Sequence, residues 1–99
     1  MVKYDYKDFQ DYILVTVTVD GDHWDILSQW QDDVPYFWDQ HKGLVLTGDA
    51  PNWLFAALSH YYNMMAWVAV DSPSGPIVVY SRNQDPKMLP GYPLDPVKA

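Results

Sequence analysis

The sequence predicts an α/β fold, a small mixed β-sheet of about five strands with two helices packed on it. Three observations predict it. Runs of β-branched residues recur along the chain, two intervening stretches repeat apolar residues at helical spacing, and a Gly48-Asp49-Ala50-Pro51 corner joins a short apolar strand to the second helix. Ninety-nine residues with 48% hydrophobic content suffice for one core, so a single domain is expected over 1–81 and a proline-rich extension over 82–99.

Val2, Tyr4 and Tyr6 alternate with Lys3, Asp5 and Lys7, the period of a half-buried strand. After a short polar loop over 8–11, Tyr12 to Val19 reads as the clearest strand, with Ile13, Val15, Val17 and Val19 on one face. Asp20 and Gly21 end it. Asp22 then suits an N-cap for a short helix over about 23–31, on which Trp24, Leu27 and Trp30 form an apolar stripe. Between 32 and 41 the periodicity breaks, and Val34, Tyr36, Phe37 and Trp38 read as a minor core under a loop, with a base-stacking surface as the alternative.

Leu44 to Thr47 predicts a buried strand, and Pro51 to Tyr62 a helix with Asp49 as candidate cap. Trp53, Leu54, Ala57, Leu58 and Tyr61 share one helix face, with His60 at its edge beside Ala56 and Asn63. Ala66 to Val70 and Ile77 to Tyr80 predict a hairpin closed by a turn over 72–76. Pro86, Pro90, Pro93 and Pro96 exclude a long helix beyond Ser81.

The formal charge is −7, and all thirteen acids are Asp. Such a surface repels polyphosphate at long range, which argues against a coat for duplex DNA. A small anion held by backbone amides at a helix start remains compatible with it. Without cysteine there is neither a disulfide framework nor a thiolate metal site. No stretch approaches the roughly 18 apolar residues of a membrane span, and a cytoplasmic setting with no membrane partner is expected.

The residues with chemistry to offer are His60, Asn63 and Asp71. His60 lies near a helix end and Asp71 closes the following strand, where α/β sheets commonly set ligand groups. An imidazole can accept a proton or bind a metal, and a carboxylate can bind a hard cation or orient the imidazole. The competing reading makes His60 a half-buried residue bonded to backbone and Asp71 the start of a turn. His23 and His41 fit surface and loop roles.

Residues 42–81, KGLVLTG…PNWLFAALSHYY…WVAVDSPSGPIVVYS, resemble the third class of CRISPR-associated ring nucleases, small proteins with a fold distantly like CARF and Rossmann domains. The resemblance implies binding and metal-assisted cleavage of cyclic tetra-adenylate, a second messenger of type III CRISPR defence, by a homodimer or a higher assembly that stacks around the ring. It carries the helix His onto His60, the strand-end Asp onto Asp71, and further positions onto Gly48, Pro51 and Trp53. By the same resemblance Asp49, Ser81 and Arg82 join the ligand-binding set, and His60 with Asp71 would hold Mn2+. The chain departs from the pattern where Asn63 replaces a second His, where Pro73 and Asp49 replace arginines, and where Arg82 replaces a His. Two lost guanidiniums remove phosphate clamps, and only Arg82 is a nearby substitute. Binding without cleavage, or a protein-interaction subunit using Trp38 and the proline-rich extension, are the alternatives.

Overall fold

The structure is a computed structural model that describes residues 2–21, 23–32, 34–39, 41–82 and 89–94. The elements are β1 (Val2–Asp8), β2 (Tyr12–Val19), α1 (His23–Gln29), β3 (Gly43–Asp49), α2 (Asn52–Tyr61), β4 (Trp67–Val70) and β5 (Ile77–Ser81). Candidate cap Asp22 and the side chain of Trp24 lie outside what is described.

The five strands form one sheet in the order β1-β2-β3-β4-β5. β1 runs antiparallel to β2, β2, β3 and β4 are parallel, and β5 returns antiparallel to β4, so the sheet is mixed as expected. Because strand order follows chain order without reversal, both crossover helices lie on the same face. Val15, Val17, Leu44, Leu46 and Val68 of that face enclose a core with Ile26 of α1 and Leu54 and Leu58 of α2. The opposite face carries a smaller cluster of Leu14, Val45, Ala69 and Val78, bordered by Trp67 and Leu94.

Two expectations need correction, on α1 and on β3. On α1 the buried residue is Ile26, while Leu27 is exposed, so the stripe is rotated by one residue and continues to half-buried Trp30. The expected face of α2 does pack on the core, with Leu54 and Leu58 fully buried and Trp53 and Tyr61 half-buried against it, and Tyr62 just past the helix adds to it. Strand β3 extends through Gly48 to Asp49, so Asp49 pairs with Thr18 instead of capping α2, and Pro51 is the N-cap with no side-chain cap bond. The aromatic connection divides likewise: Val34 and Phe37 pack on the core, whereas Tyr36 and Trp38 face solvent.

Gly48 has φ of +124°, and a Cβ there would collide with the backbone of Val17 on β2. Only glycine meets both demands. Gly48→Ala is therefore expected to lower stability by about 1–3 kcal/mol from backbone strain alone, read from urea unfolding midpoints.

Tyr62 ties α2 to the 34–39 connection. Its hydroxyl donates to the Pro35 carbonyl at 2.6 Å, and its ring stacks on Phe37 with centroids 6.0 Å apart. Burial pushes its phenol well above the usual range, with Tyr61 and Tyr4 adding to the effect. The unfolded chain ionises this phenol near its ordinary value of about 10. Stability conferred by the buried neutral form is thus complete below that pH and is lost as pH rises beyond it. Tyr62→Phe is expected to cost about 1–3 kcal/mol at neutral pH by orphaning the Pro35 carbonyl, and to flatten the alkaline loss; urea melts at neutral pH and above pH 10 read both.

Candidate functional site

Parallel pairing of Leu46 with Val70 brings the ends of β3 and β4 side by side, so the next residues, Thr47 and Asp71, are neighbours. Thr47 Oγ1 donates to Asp71 Oδ2 at 2.9 Å, and the Ser72 N–H donates to Asp71 Oδ1 at 3.0 Å. The Asp71 N–H in turn donates to the Leu46 carbonyl at 2.8 Å. An exposed carboxylate is thereby held in one orientation at the C-terminal end of the parallel strands. It starts a turn and faces solvent at once, so the two readings of Asp71 are not exclusive.

Two concavities meet at Asp71. On the open sheet face a cavity of about 590 Å³ is lined by Asp5, Lys7, Leu14, Thr16, Thr47 and Asp71. Between α2 and the β4–β5 hairpin a second, of about 490 Å³, is lined by Asn52, Phe55, Ser59, Val70, Asp71 and Val79 among others. The first has largely apolar walls that carry the hydroxyls of Thr16 and Thr47, paired in register across β2 and β3. The second also has largely apolar walls, with Asn52, Ser59 and Asp71 as its polar members. Gly48, Asp49 and Pro51 belong to this same end of the sheet, and α2 begins there without a side-chain cap. Trp53 is half-buried against the main core.

His60 is exposed on the last turn of α2 and is not half-buried. It lines neither concavity to which Asp71 contributes. Asn63 is also exposed, and its carbonyl accepts the Tyr80 hydroxyl at 2.9 Å. Ser81 pairs with Trp67 at the start of β4, and the Arg82 N–H donates to the Ala66 carbonyl at 2.9 Å. The Arg82 guanidinium lies 3.7 Å from the Met64 sulfur. Asn63, Ser81 and Arg82 thus gather at the N-terminal end of β4, with α2 running toward them from the Asp71 end. His41 is an exposed loop residue whose N–H donates to Asp39, and the His23 side chain lies outside what is described.

Thr47, Thr16, Asn52 and Phe55 were not singled out by the sequence reading. Thr47 could have been: it follows the last apolar residue of its strand just as Asp71 does. As for a cation, among the described residues no three His, Asp or Glu side chains lie close enough to share one. No helix among the described residues is long and apolar enough to cross a membrane.

A family model described as CRISPR-associated protein (Cas_csx3) matches residues 24–91. The match spans everything from α1 to the segment beyond β5, including both ends of β4. No curated protein matches the chain.

Proposed function

The chain belongs to the Cas_csx3 family of CRISPR-associated proteins, and from that premise we propose that it binds cyclic tetra-adenylate and cleaves a phosphodiester of the ring. The observation that carries the reading is Asp71: an exposed carboxylate, oriented by Thr47, beside the uncapped start of α2. Backbone amides and the positive end of a ten-residue helix attract a phosphate despite the acidic surface. The two concavities on either side of Asp71, each with apolar walls and a few polar groups, offer room for sugar and base.

In the reaction we propose, a ribose 2′-oxygen bonds to the adjacent phosphorus and the bond from phosphorus to the 5′-oxygen breaks. His60 accepts the 2′-hydroxyl proton, and water supplies one to the departing 5′-oxygen. Asp71 orients the attacking hydroxyl, and Asn63 donates an amide hydrogen bond to phosphate. His60 and Asn63 belong to one end of α2 and Asp71 to the other, so copies stacked end to end around the ring would join the two groups on one ligand. No step here is routed through a metal ion.

Labelled cyclic tetra-adenylate incubated with excess protein, with and without manganese, tests the proposal. Linear product is expected, and a ring still intact after long exposure would sink it. Binding without turnover is the second reading, favoured by Asp49 and Pro73 standing where the resemblance expects arginines. Calorimetry with the intact ring separates the two.

A further inference from the structure

Residues 89–94 form a strap along the outer edge of β5. The Gly91 N–H donates to the Val78 carbonyl at 2.6 Å, the Val78 N–H to the Tyr92 carbonyl at 2.9 Å, and the Leu94 N–H to the Pro76 carbonyl at 2.8 Å. Pro93 sits opposite Ile77 in an isolated bridge, which ends the pairing with a residue that cannot extend a ladder. Leu94 is half-buried and packs against the open-face cluster of Leu14, Val45, Ala69 and Val78, whereas 89–93 are exposed. Backbone bonds and one apolar side chain therefore seat the strap.

Its bonds lead to Asp71. Pro76 is fully buried and closes the turn that Asp71 starts. The adjoining Gly75 carbonyl accepts from the Ser72 N–H at 3.0 Å and from the Ser72 hydroxyl at 2.6 Å, and the Gly75 N–H donates to the Ser72 carbonyl at 2.9 Å. Ser72 shares the same N–H with Asp71 Oδ1 at 3.0 Å, while Asp71 Oδ2 accepts from Thr47. A continuous path thus runs from Leu94 through Pro76, Gly75 and Ser72 to the carboxylate. Packing gives a second route: Leu14, in the cluster on which Leu94 rests, is also a wall of the cavity of about 590 Å³ that ends at Asp71.

A short turn with Pro73 and Ser74 exposed at its tip belongs to the part of a fold that opens locally at low cost. Its two feet are fixed from different sides. The Asp71 N–H on the Leu46 carbonyl holds the foot on β4, and the Leu94 N–H on the Pro76 carbonyl holds the outer edge of the foot on β5.

We infer that residues 89–94 are a latch for the Asp71 carboxylate. Seated on β5, they hold the 72–76 turn in the conformation in which Ser72 and Thr47 orient Asp71. Unseated, they leave the sheet folded and release that orientation. Ser72 and Leu94 are then positioning residues that act on the site through Asp71. The effect of the latch on turnover rests on the ring cleavage proposed above, and its effect on the turn does not.

Amide hydrogen exchange on the full chain, followed residue by residue by NMR, tests the latch without any ligand. Gly91 has φ of +92° and nothing within 4 Å of where a Cβ would stand, so Gly91→Val strains the strap and touches nothing else. Leu94→Pro instead removes the donor to Pro76. In each variant the Val78 amide, which the strap accepts, should exchange about tenfold faster or more, and the Ser72 and Gly75 amides should follow by a similar factor. The Asp71 amide, bound to the Leu46 carbonyl of β3, should keep the parent rate. Ser72 and Gly75 amides that stay protected while Val78 is freed would overturn the inference. So would equal acceleration at Asp71, the mark of a general loss of stability, or a Val78 amide that neither variant frees. In single-turnover cleavage of cyclic tetra-adenylate, each variant should be about tenfold slower than the parent with affinity for the ring kept, and should add no further loss to Asp71→Ala. Turnover at the parent rate with the turn released, or an added loss beside Asp71→Ala, would overturn the link to the carboxylate. A parent that leaves the ring intact sinks the cleavage alone, and exchange still decides the latch.

Discussion

Leu58→Ala is expected to lower stability by about 2–5 kcal/mol, enough to leave much of the population unfolded at physiological temperature. Leu58 is fully buried in the cluster that joins α2 to β3 and β4, together with Leu54, Leu44, Leu46 and Val68. Removing its branched end opens a void under a short helix that touches the sheet through few residues, so the site can collapse only at the expense of α2. For a domain of this size each kcal/mol corresponds to roughly 4–8 °C in melting temperature. Leu58→Met, which conserves volume, should cost under about 1.5 kcal/mol. Thermal and urea denaturation of the three proteins decides it, and a Leu58→Ala variant as stable as the parent would refute the packing described for α2.

The second large effect concerns chemistry. Asp71→Ala should reduce cleavage of cyclic tetra-adenylate by about 10²-fold or more, the usual magnitude for losing a group engaged in proton transfer or its orientation. Because Asp71 is exposed, losing its bonds to Thr47 and Ser72 should cost about 0.5–1.5 kcal/mol and leave the variant folded. Loss of turnover in a folded variant is then attributable to the site. On the proposed mechanism Thr47 acts through Asp71 as a positioning residue, so Thr47→Val should lower turnover by about tenfold, within the range for partners that orient a functional group. Thr47→Ser, which keeps the donor, should stay close to the parent. Single-turnover assays on all four proteins separate these roles, and full activity in Asp71→Ala would remove Asp71 from the mechanism.

Much of the fold was legible because hydropathy period reports which face a residue occupies. β2 reads from Tyr12 to Val19 in both sequence and structure, since its alternation is nearly complete. Local pattern misled at one position of α1: Leu27 was expected on the stripe, yet it is exposed and Ile26 takes its place in the core, while Trp30 packs there as expected. The extension of β3 through Gly48 and Asp49 escaped notice for a different reason. Polar residues join a strand there because the parallel partner continues, with Thr18 opposite Asp49, and a partner is invisible to a single segment's hydropathy. The site followed the same rule. Asp71 was legible as a strand-end acid, whereas its bond to Thr47 spans 24 positions and exists only through the register of β3 against β4. His60 and Asp71 are close in sequence, but β4 runs between them and carries Asp71 to the end of the sheet away from the last turn of α2.

The unreversed strand order has a kinetic consequence. Every strand pairs with the one before it in the chain, so no contact in the sheet waits for a distant segment to return. The two hairpins close short loops and can form early, whereas each parallel pairing must first close a crossover helix and forms more slowly. The sheet can grow from β1 onward as the chain leaves the ribosome, each new strand adding to a completed edge. Until residues 89–94 emerge, the growing edge stays open, which makes the last of the described segments the one that ends the period of greatest exposure to aggregation.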